Sequence, residues 1–169
     1  MTETIDVQER GRTIAYSFDD MLKYHGPGSP GGVAVAFKVL QRAVGLLSPG
    51  EAPQRREIAV RTSFGGPGAR DGFEAVTRAV TGERFTVDPA LTRPDRGRVI
   101  ERFVFEVGYR NSAVTLALRE GFVTEEFIDL ARKEGRSGQE EAHLDVLKAE
   151  LAERVMAGTA ADMFDLCDA

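Results

Sequence analysis

The 169-residue chain has no tryptophan, one cysteine and two histidines. The single Cys167 excludes an internal disulfide framework and any metal site built from several cysteines. Basic residues are also in deficit, with 22 Lys and Arg against 27 Asp and Glu, which leaves a net charge of -5. Because no basic stripe offsets this acidity, we expect no nucleic-acid partner. No apolar run approaches membrane-spanning length, so we expect no membrane partner either.

What remains is the composition of an ordinary globular domain, with 42% hydrophobic and 29% charged residues. The first residues are acidic and polar, unlike a signal or transit peptide, and we therefore expect a cytoplasmic protein. Residues 1–15 show little pattern and are predicted to be an irregular N-terminal segment. Residues 16–169 are long enough to form one domain with its own core.

The apolar spacing predicts the order of helices and strands. Helical periodicity appears over residues 30–47, 69–80, 124–133 and 139–157. Alternating apolar residues predict strands over residues 56–64 and 84–87, and an antiparallel hairpin that turns at residues 108–111. Because strands and helices do not strictly alternate, the pattern indicates an α+β fold with a mostly antiparallel sheet and packed helices.

The most informative stretch is Tyr24-His-Gly-Pro-Gly-Ser-Pro-Gly-Gly32, which holds four glycines and two prolines in nine residues. Such a stretch is a shaped turn, and Ser29 followed by Pro30 is typical of a helix start. Gly31 and Gly32 are poor helix formers, which indicates that another backbone or a ligand comes close to this first turn. The capping role explains Ser29 better than a role as nucleophile, because no His–Asp relay is visible.

His25 stands at the entrance to this turn. A histidine there is able to donate or accept a proton near neutral pH, or to bond the backbone and hold the turn. The other histidine, His143, lies among charged residues in a predicted helix, which indicates a solvated side chain.

A second glycine-rich turn, Phe64-Gly-Gly-Pro-Gly68, separates a predicted strand from the next helix and is followed by Arg70 and Asp71. Amides at a helix start form a natural cradle for an anion, and Arg70 would add charge. The spacing matches neither the dinucleotide fingerprint nor a P-loop. We favour the simpler interpretation, a tight connection between strand and helix.

Both turns resemble sequence boxes of the FmdE-like family, which is named after a component of formylmethanofuran dehydrogenase. Tyr24–Gly31 is similar to that family's His-Gly-His-x-Cys-Pro-Gly box, and Asp71–Gly82 resembles its second box, a helix ending in Thr-Gly. The Glu-rich helices and the closing Met163-Phe164 are similar too. The resemblance covers about residues 16–166 and implies the same single-domain fold.

The chain departs from the family boxes at the residues that would bind metal. Pro27 and Ser29 stand where the first box has its second histidine and its cysteine, and Gly68 stands where the second box has a cysteine. Of the family's candidate groups only His25 is kept, with Asp71 as a possible second. One cysteine also rules out the zinc-binding tail of some relatives. We therefore expect no metal and no cofactor.

These observations lead to one functional hypothesis and one alternative. The first is a metal-independent enzyme of small-molecule metabolism, for example of a biosynthetic pathway. In this hypothesis His25 acts as general acid or base on an anionic or carbonyl-bearing substrate. The alternative is a non-catalytic ligand-binding or accessory subunit of a metabolic complex. The expected binding residues are Tyr24, Ser29, Gly31, Gly32, Phe64, Gly66, Gly68, Arg70 and Asp71.

Assembly is the last expectation from the sequence. Phe103, Phe105 and the apolar face of the 139–157 helix offer more apolar surface than one small sheet needs. The family resemblance implies a dimer, and paired identical surfaces are the commonest closed assembly. We therefore expect a homodimer.

Overall fold

The computed structural model of the protein describes residues 2–167. Its α-helices are α1 (Phe18–His25), α2 (Pro30–Leu47), α3 (Pro67–Thr77), α4 (Glu125–Arg132), α5 (Gly138–Ala157) and α6 (Ala160–Met163). Its strands are β1 (Thr4–Glu9), β2 (Arg12–Ser17), β3 (Ile58–Thr62), β4 (Phe85–Val87), β5 (Val104–Tyr109), β6 (Ser112–Leu118) and β7 (Phe164–Cys167). Short 3-10 turns lie at Arg55–Glu57, Pro89–Leu91 and Pro94–Arg96.

The main sheet has five strands in the order β4-β3-β5-β6-β7. The mixture of helices and strands confirms the α+β class, but the sheet is mixed and not mostly antiparallel as predicted. β3 pairs with β4 in parallel, with Val60 opposite Phe85, while the other neighbours are antiparallel. The parallel pair arises because α3 carries the chain back to the starting edge, which makes β3–α3–β4 a crossover unit.

The N-terminal segment is a second correction, because residues 1–15 are not irregular over their described part. β1 and β2 form a separate antiparallel hairpin, so β2 crosses the predicted domain start at residue 16. Arg10 and Gly11, with φ values of 52° and 77°, form the two-residue turn that suits a twisted hairpin. Only Ile5 and Val7 of β1 are buried, and the charged and polar residues between and around them hid the alternation.

The core is centred on α2, whose bounds agree with the prediction. Its residues from Val33 to Leu40 are all buried. Within the described residues α2 is the one helix long and apolar enough to span a membrane, with a mean hydropathy of 1.2, yet 56% of it is buried inside the protein. A buried core helix of a soluble protein has this character, and the cytoplasmic location stays a prediction.

The apolar surface that suggested a dimer is used inside the chain. Phe103 and Phe105 are 2% and 0% exposed. The apolar residues Leu144, Leu147 and Leu151 of α5 are buried as well, and α5 packs along α2. The homodimer therefore stays a prediction, supported by the family resemblance alone.

Candidate functional site

The two glycine-rich turns meet at the first turns of α2 and α3. A methyl group added at Gly68 would lie 2.2 Å from the carbonyl oxygen of Ser29, and one added at Gly32 would lie 2.8 Å from the amide nitrogen of Ala69. No side chain fits between these backbones. Another backbone is therefore what approaches Gly32, one of the two alternatives that the sequence left open.

Two further glycines, one in α2 and one in α3, also serve close packing. A methyl group at Gly31 would lie 2.7 Å from a methyl carbon of Leu151 on α5. One at Gly72 would lie 2.8 Å from the Ala36 side chain, one helical turn further along the α2–α3 contact. The predicted tight connection at the second turn is consistent with this packing of three helices.

The far end of α3 is fixed by a buried and a half-buried arginine. The Arg55 guanidinium donates to the carbonyl oxygens of Ala75 and Val76 at 2.8 and 2.9 Å, and Arg84 donates to those of Thr77 and Arg78 at 3.1 Å. Cations at the last carbonyls of a helix satisfy them and interact favourably with the helix dipole. The position of α3 is thereby set at both ends.

His25 and Asp71 form a partly buried pair at the near end. The Nδ1 atom of His25 lies 2.8 Å from Asp71 Oδ2, and the histidine side chain is only 7% exposed. The Ser29 amide donates to Nε2 at 2.9 Å. Because Nε2 accepts this hydrogen bond, the ring hydrogen lies on Nδ1 and is donated to the carboxylate. Both ring nitrogens are occupied.

This pair satisfies the amide at the start of α2, where no side-chain cap is present. Ser29 is the residue that precedes the helix, but its hydroxyl makes no capping hydrogen bond, contrary to the prediction. Its amide is bonded instead to an imidazole at the end of α1, and that imidazole is bonded to α3. Ser17 and Thr124 do cap α1 and α4 with their side chains, at 3.1 Å in each case.

A cavity of about 460 Å³ lies beside the two turns and continues under α4 and α5. One wall is the backbone of the turns, at Ser29, Gly31, Gly32 and residues 65–68. The opposite wall is formed by α4, through Phe127, Ile128, Ala131 and Arg132, and by α5. Its volume falls within the range of small-molecule sites.

The apolar part of the cavity is rich in aromatic rings. Phe64 and Phe103 stack with their ring centroids 4.4 Å apart. A methyl group at Gly66 would lie 2.5 Å from the Phe64 ring, so the glycine leaves room for this ring position. The other large apolar side chains that line the cavity are Phe127, Ile128, Leu144 and Leu151.

The charged part of the cavity carries one sign. Arg102, Arg132, Arg136 and Lys148 line it, and no Asp or Glu of the described chain does. Arg136 is bonded to Glu141 at 2.9 Å and to three carbonyl oxygens near the end of α4. The Lys148 ammonium donates to the Gly28 carbonyl at 3.0 Å, so a neutral group is its partner.

The predicted site residues divide into two groups. Six line the cavity, namely Ser29, Gly31, Gly32, Phe64, Gly66 and Gly68. The other four, Tyr24, His25, Arg70 and Asp71, do not. Tyr24 is 53% exposed, and Arg70 Nη1 lies 3.8 Å from Asp71 Oδ1. The structure thus brings the two turns together, and several of their glycines line the cavity while the His25–Asp71 pair does not.

No local pattern singles out the cations of the cavity. Arg102 comes just before β5, Arg132 is an exposed residue of α4, and Lys148 is a half-buried residue of α5. Solvated arginines and lysines have the same local pattern. Only the packing of α4 and α5 against the glycine turns distinguishes them, and no short stretch of sequence reports that packing.

The described residues contain no group of three or more His, Cys, Asp or Glu side chains arranged to hold a metal ion.

In comparisons with known proteins, no family model and no curated protein matches the chain. The resemblance to the FmdE-like family therefore stays a prediction from the two boxes.

Proposed function

We propose that the protein binds a small, partly apolar molecule in the cavity between the glycine turns and helices α4 and α5, without a metal ion. The observation that carries this proposal is the cavity itself, about 460 Å³ in volume, with an aromatic interior and polar groups at one side. Sites for small organic molecules have this size and this mixture of surfaces.

In this proposal His25 is a positioning residue. It does not line the cavity, and both ring nitrogens are engaged, one by Asp71 and one by the Ser29 amide. Its role is to hold the end of α1, the start of α2 and the first turns of α3 in register. The cavity wall at Ser29 and Gly31 depends on that register. A ligand-binding or accessory role fits this arrangement best.

The second candidate is a metal-independent enzyme in which His25 is the general acid or base. The contact between Nδ1 and the Asp71 carboxylate favours it, because a carboxylate that orients an imidazole and stabilises its protonated form is a recurrent catalytic arrangement. Proton transfer would use Nε2, which must first release the Ser29 amide. The substrate would be an anionic or carbonyl-bearing small molecule.

Binding is tested with a neutral fluorescent probe, N-phenyl-1-naphthylamine. We expect the wild-type protein to bind it with enhanced emission, and Ala131→Trp to weaken binding at least tenfold, because Ala131 lines the cavity. Ala142→Trp is the matched control, since Ala142 is an exposed alanine of α5 outside the cavity. If Ala131→Trp and Ala142→Trp bind the probe alike, the cavity is not the binding site.

The two candidates are separated by the reactivity of the histidines toward diethyl pyrocarbonate. Under the positioning role only His143, whose side chain is 50% exposed, reacts rapidly. An acid–base role requires a reachable Nε2, so His25 would then react as well and would be protected by a cavity ligand. Mass spectrometry of peptides assigns the modified ring, and His143 serves as the internal control.

A further inference from the structure

We propose that the ligand of this cavity is an organic anion with an apolar body, and that its charged group is held by Arg102 and Arg132. The inference rests on the proposed function and names the chemical class of the ligand. It differs from the expectation drawn from the sequence, because neither Arg70 nor His25 takes part.

The first argument is the contrast between the cavity and the whole chain. Acidic residues outnumber basic ones by 27 to 22, but four cationic residues and no carboxylate of the described chain line the cavity. A cleft lined by one sign of charge and walled by apolar groups focuses its potential. This cleft therefore attracts anions against the net charge of the protein.

The second argument is the lack of carboxylate partners. Several exposed arginines elsewhere in the chain pair with carboxylates, as Arg98 does with Glu125 and Asp129 of α4. Within residues 2–167 no carboxylate oxygen lies within 4.0 Å of the Arg102 or Arg132 guanidinium, and neither guanidinium donates a hydrogen bond inside the protein. Two guanidinium groups at one cavity, each with its donors free, suit a carboxylate, sulfonate or phosphate group.

The third argument separates these two arginines from the other cations. The Arg136 guanidinium donates hydrogen bonds to Glu141 and to carbonyl oxygens at the end of α4. Lys148 is tied to the Gly28 carbonyl and adds positive potential from the side of the first glycine turn. Arg102 and Arg132 are the cations of the described lining that keep all of their donors for a ligand, whereas Arg136 and Lys148 keep only some.

The fourth argument comes from the apolar wall. A small inorganic ion would leave the stacked rings of Phe64 and Phe103, and Leu144 and Leu151 beside them, without a partner. An aromatic or alkyl body fills that space and removes apolar surface from water. The ligand class is therefore an amphipathic organic anion.

The test compares two probes that share one aromatic body. The first, 1-anilinonaphthalene-8-sulfonate, carries an anionic group that the second, N-phenyl-1-naphthylamine, lacks. We expect the wild type to bind the sulfonate about tenfold more tightly or better at low salt, with the advantage falling as salt is added. In the variant Arg102→Gln/Arg132→Gln the advantage disappears while the neutral probe still binds.

The control variant is Arg12→Gln/Lys23→Gln, which removes the same charge from exposed residues outside the cavity. It keeps the preference for the sulfonate if the two cavity arginines are responsible. Equal affinity for both probes, or a preference that survives Arg102→Gln/Arg132→Gln, overturns the inference but leaves the proposed function standing. Failure of both probes to bind the wild type removes the proposed function and the inference together.

Discussion

The imidazole of His25, at the last residue of α1, lies 2.8 Å from the carboxylate of Asp71 in α3, across 46 positions of sequence. The same ring accepts a hydrogen bond from the Ser29 amide at the start of α2. One side chain therefore ties three helices together, at the first glycine turn and just after the second. This is a structural arrangement in its own right, whatever chemistry the protein performs.

Replacing His25 by alanine should destabilise the protein by about 1–3 kcal/mol. The change leaves the Ser29 amide and the Asp71 carboxylate without their partner, and such groups lose most when they are partly shielded from water. Asp71→Asn should cost less than about 1 kcal/mol, because an amide oxygen still accepts the Nδ1 proton. Urea unfolding measures both changes. A His25→Ala variant as stable as the wild type would contradict the role of the pair.

Replacing Gly68 or Gly45 by alanine should change the free energy of unfolding in opposite directions. At Gly68 the new methyl group would meet the Ser29 carbonyl oxygen at 2.2 Å, and we expect a loss of about 3 kcal/mol. At Gly45, within α2, a methyl group meets nothing within 4 Å. There we expect a gain of about 0.5–1 kcal/mol from helix propensity. Thermal and urea unfolding of the two variants test the contrast, which fails if both changes are neutral.

Glu74 should make stability depend on pH in the acid range. Burial raises the pKa of this carboxyl, but hydrogen bonds from the Thr81 hydroxyl and amide, the charge of Arg78 and the Val80 amide together hold the pKa below its ordinary value of 4.5. Because the pKa is lower in the folded state, the ionised form stabilises the fold above pH 4.5. That contribution is lost as pH falls through the lower, folded-state pKa.

Glu74→Gln should therefore cost about 2 kcal/mol at pH 7 and flatten the loss of stability on acidification. Glu150→Gln is the control, because Glu150 is exposed on α5. Unfolding curves between pH 7 and pH 3 give both quantities. An acid limb that is equally steep in Glu74→Gln and the wild type would exclude this role of the carboxyl.

Protein purified without added metal should contain far less than one zinc or iron per chain. Pro27, Ser29 and Gly68 stand at the positions where the resemblance would place ligands, and none of these side chains is a usual ligand for such ions. Elemental analysis after gel filtration is the measurement. A stoichiometric metal would show that other residues provide a site.

Light scattering at micromolar concentration should give about twice the chain mass of 18.4 kDa. This prediction rests on the family resemblance alone. The phenylalanines that first suggested an interface do not support it, since they are buried within the chain. A mass of one chain would contradict the predicted homodimer.

Local signals were sufficient for several elements of the fold. The proline and glycine punctuation defined both ends of α2, and the turn around residue 110 defined the β5–β6 hairpin. Strand β7 and the N-terminal hairpin depend on partners far along the chain or on very few apolar residues. The parallel pairing of β4 with β3 depends on where α3 packs, which no window of sequence contains.

For the same reason, only part of the candidate site could be predicted from the sequence. Gly31 and Gly32 were chosen because glycines in the first turn of a helix indicate a close approach, and that approach is present. His25 drew attention because it precedes a glycine turn, but its bonds to Asp71 and the Ser29 amide depend on tertiary packing. Arg102 and Arg132 resemble any solvated arginine until α4 and the glycine turns come together.

The contact between Gly68 and the Ser29 carbonyl also bears on how this protein can change over evolutionary time. Two segments separated by 39 positions share one backbone-to-backbone surface with no room for a side chain. A mutation that places a larger residue at Gly68 forces the entry of the chain into α2 to move. Descendants of this sequence should therefore keep the two glycine turns together or remodel them together.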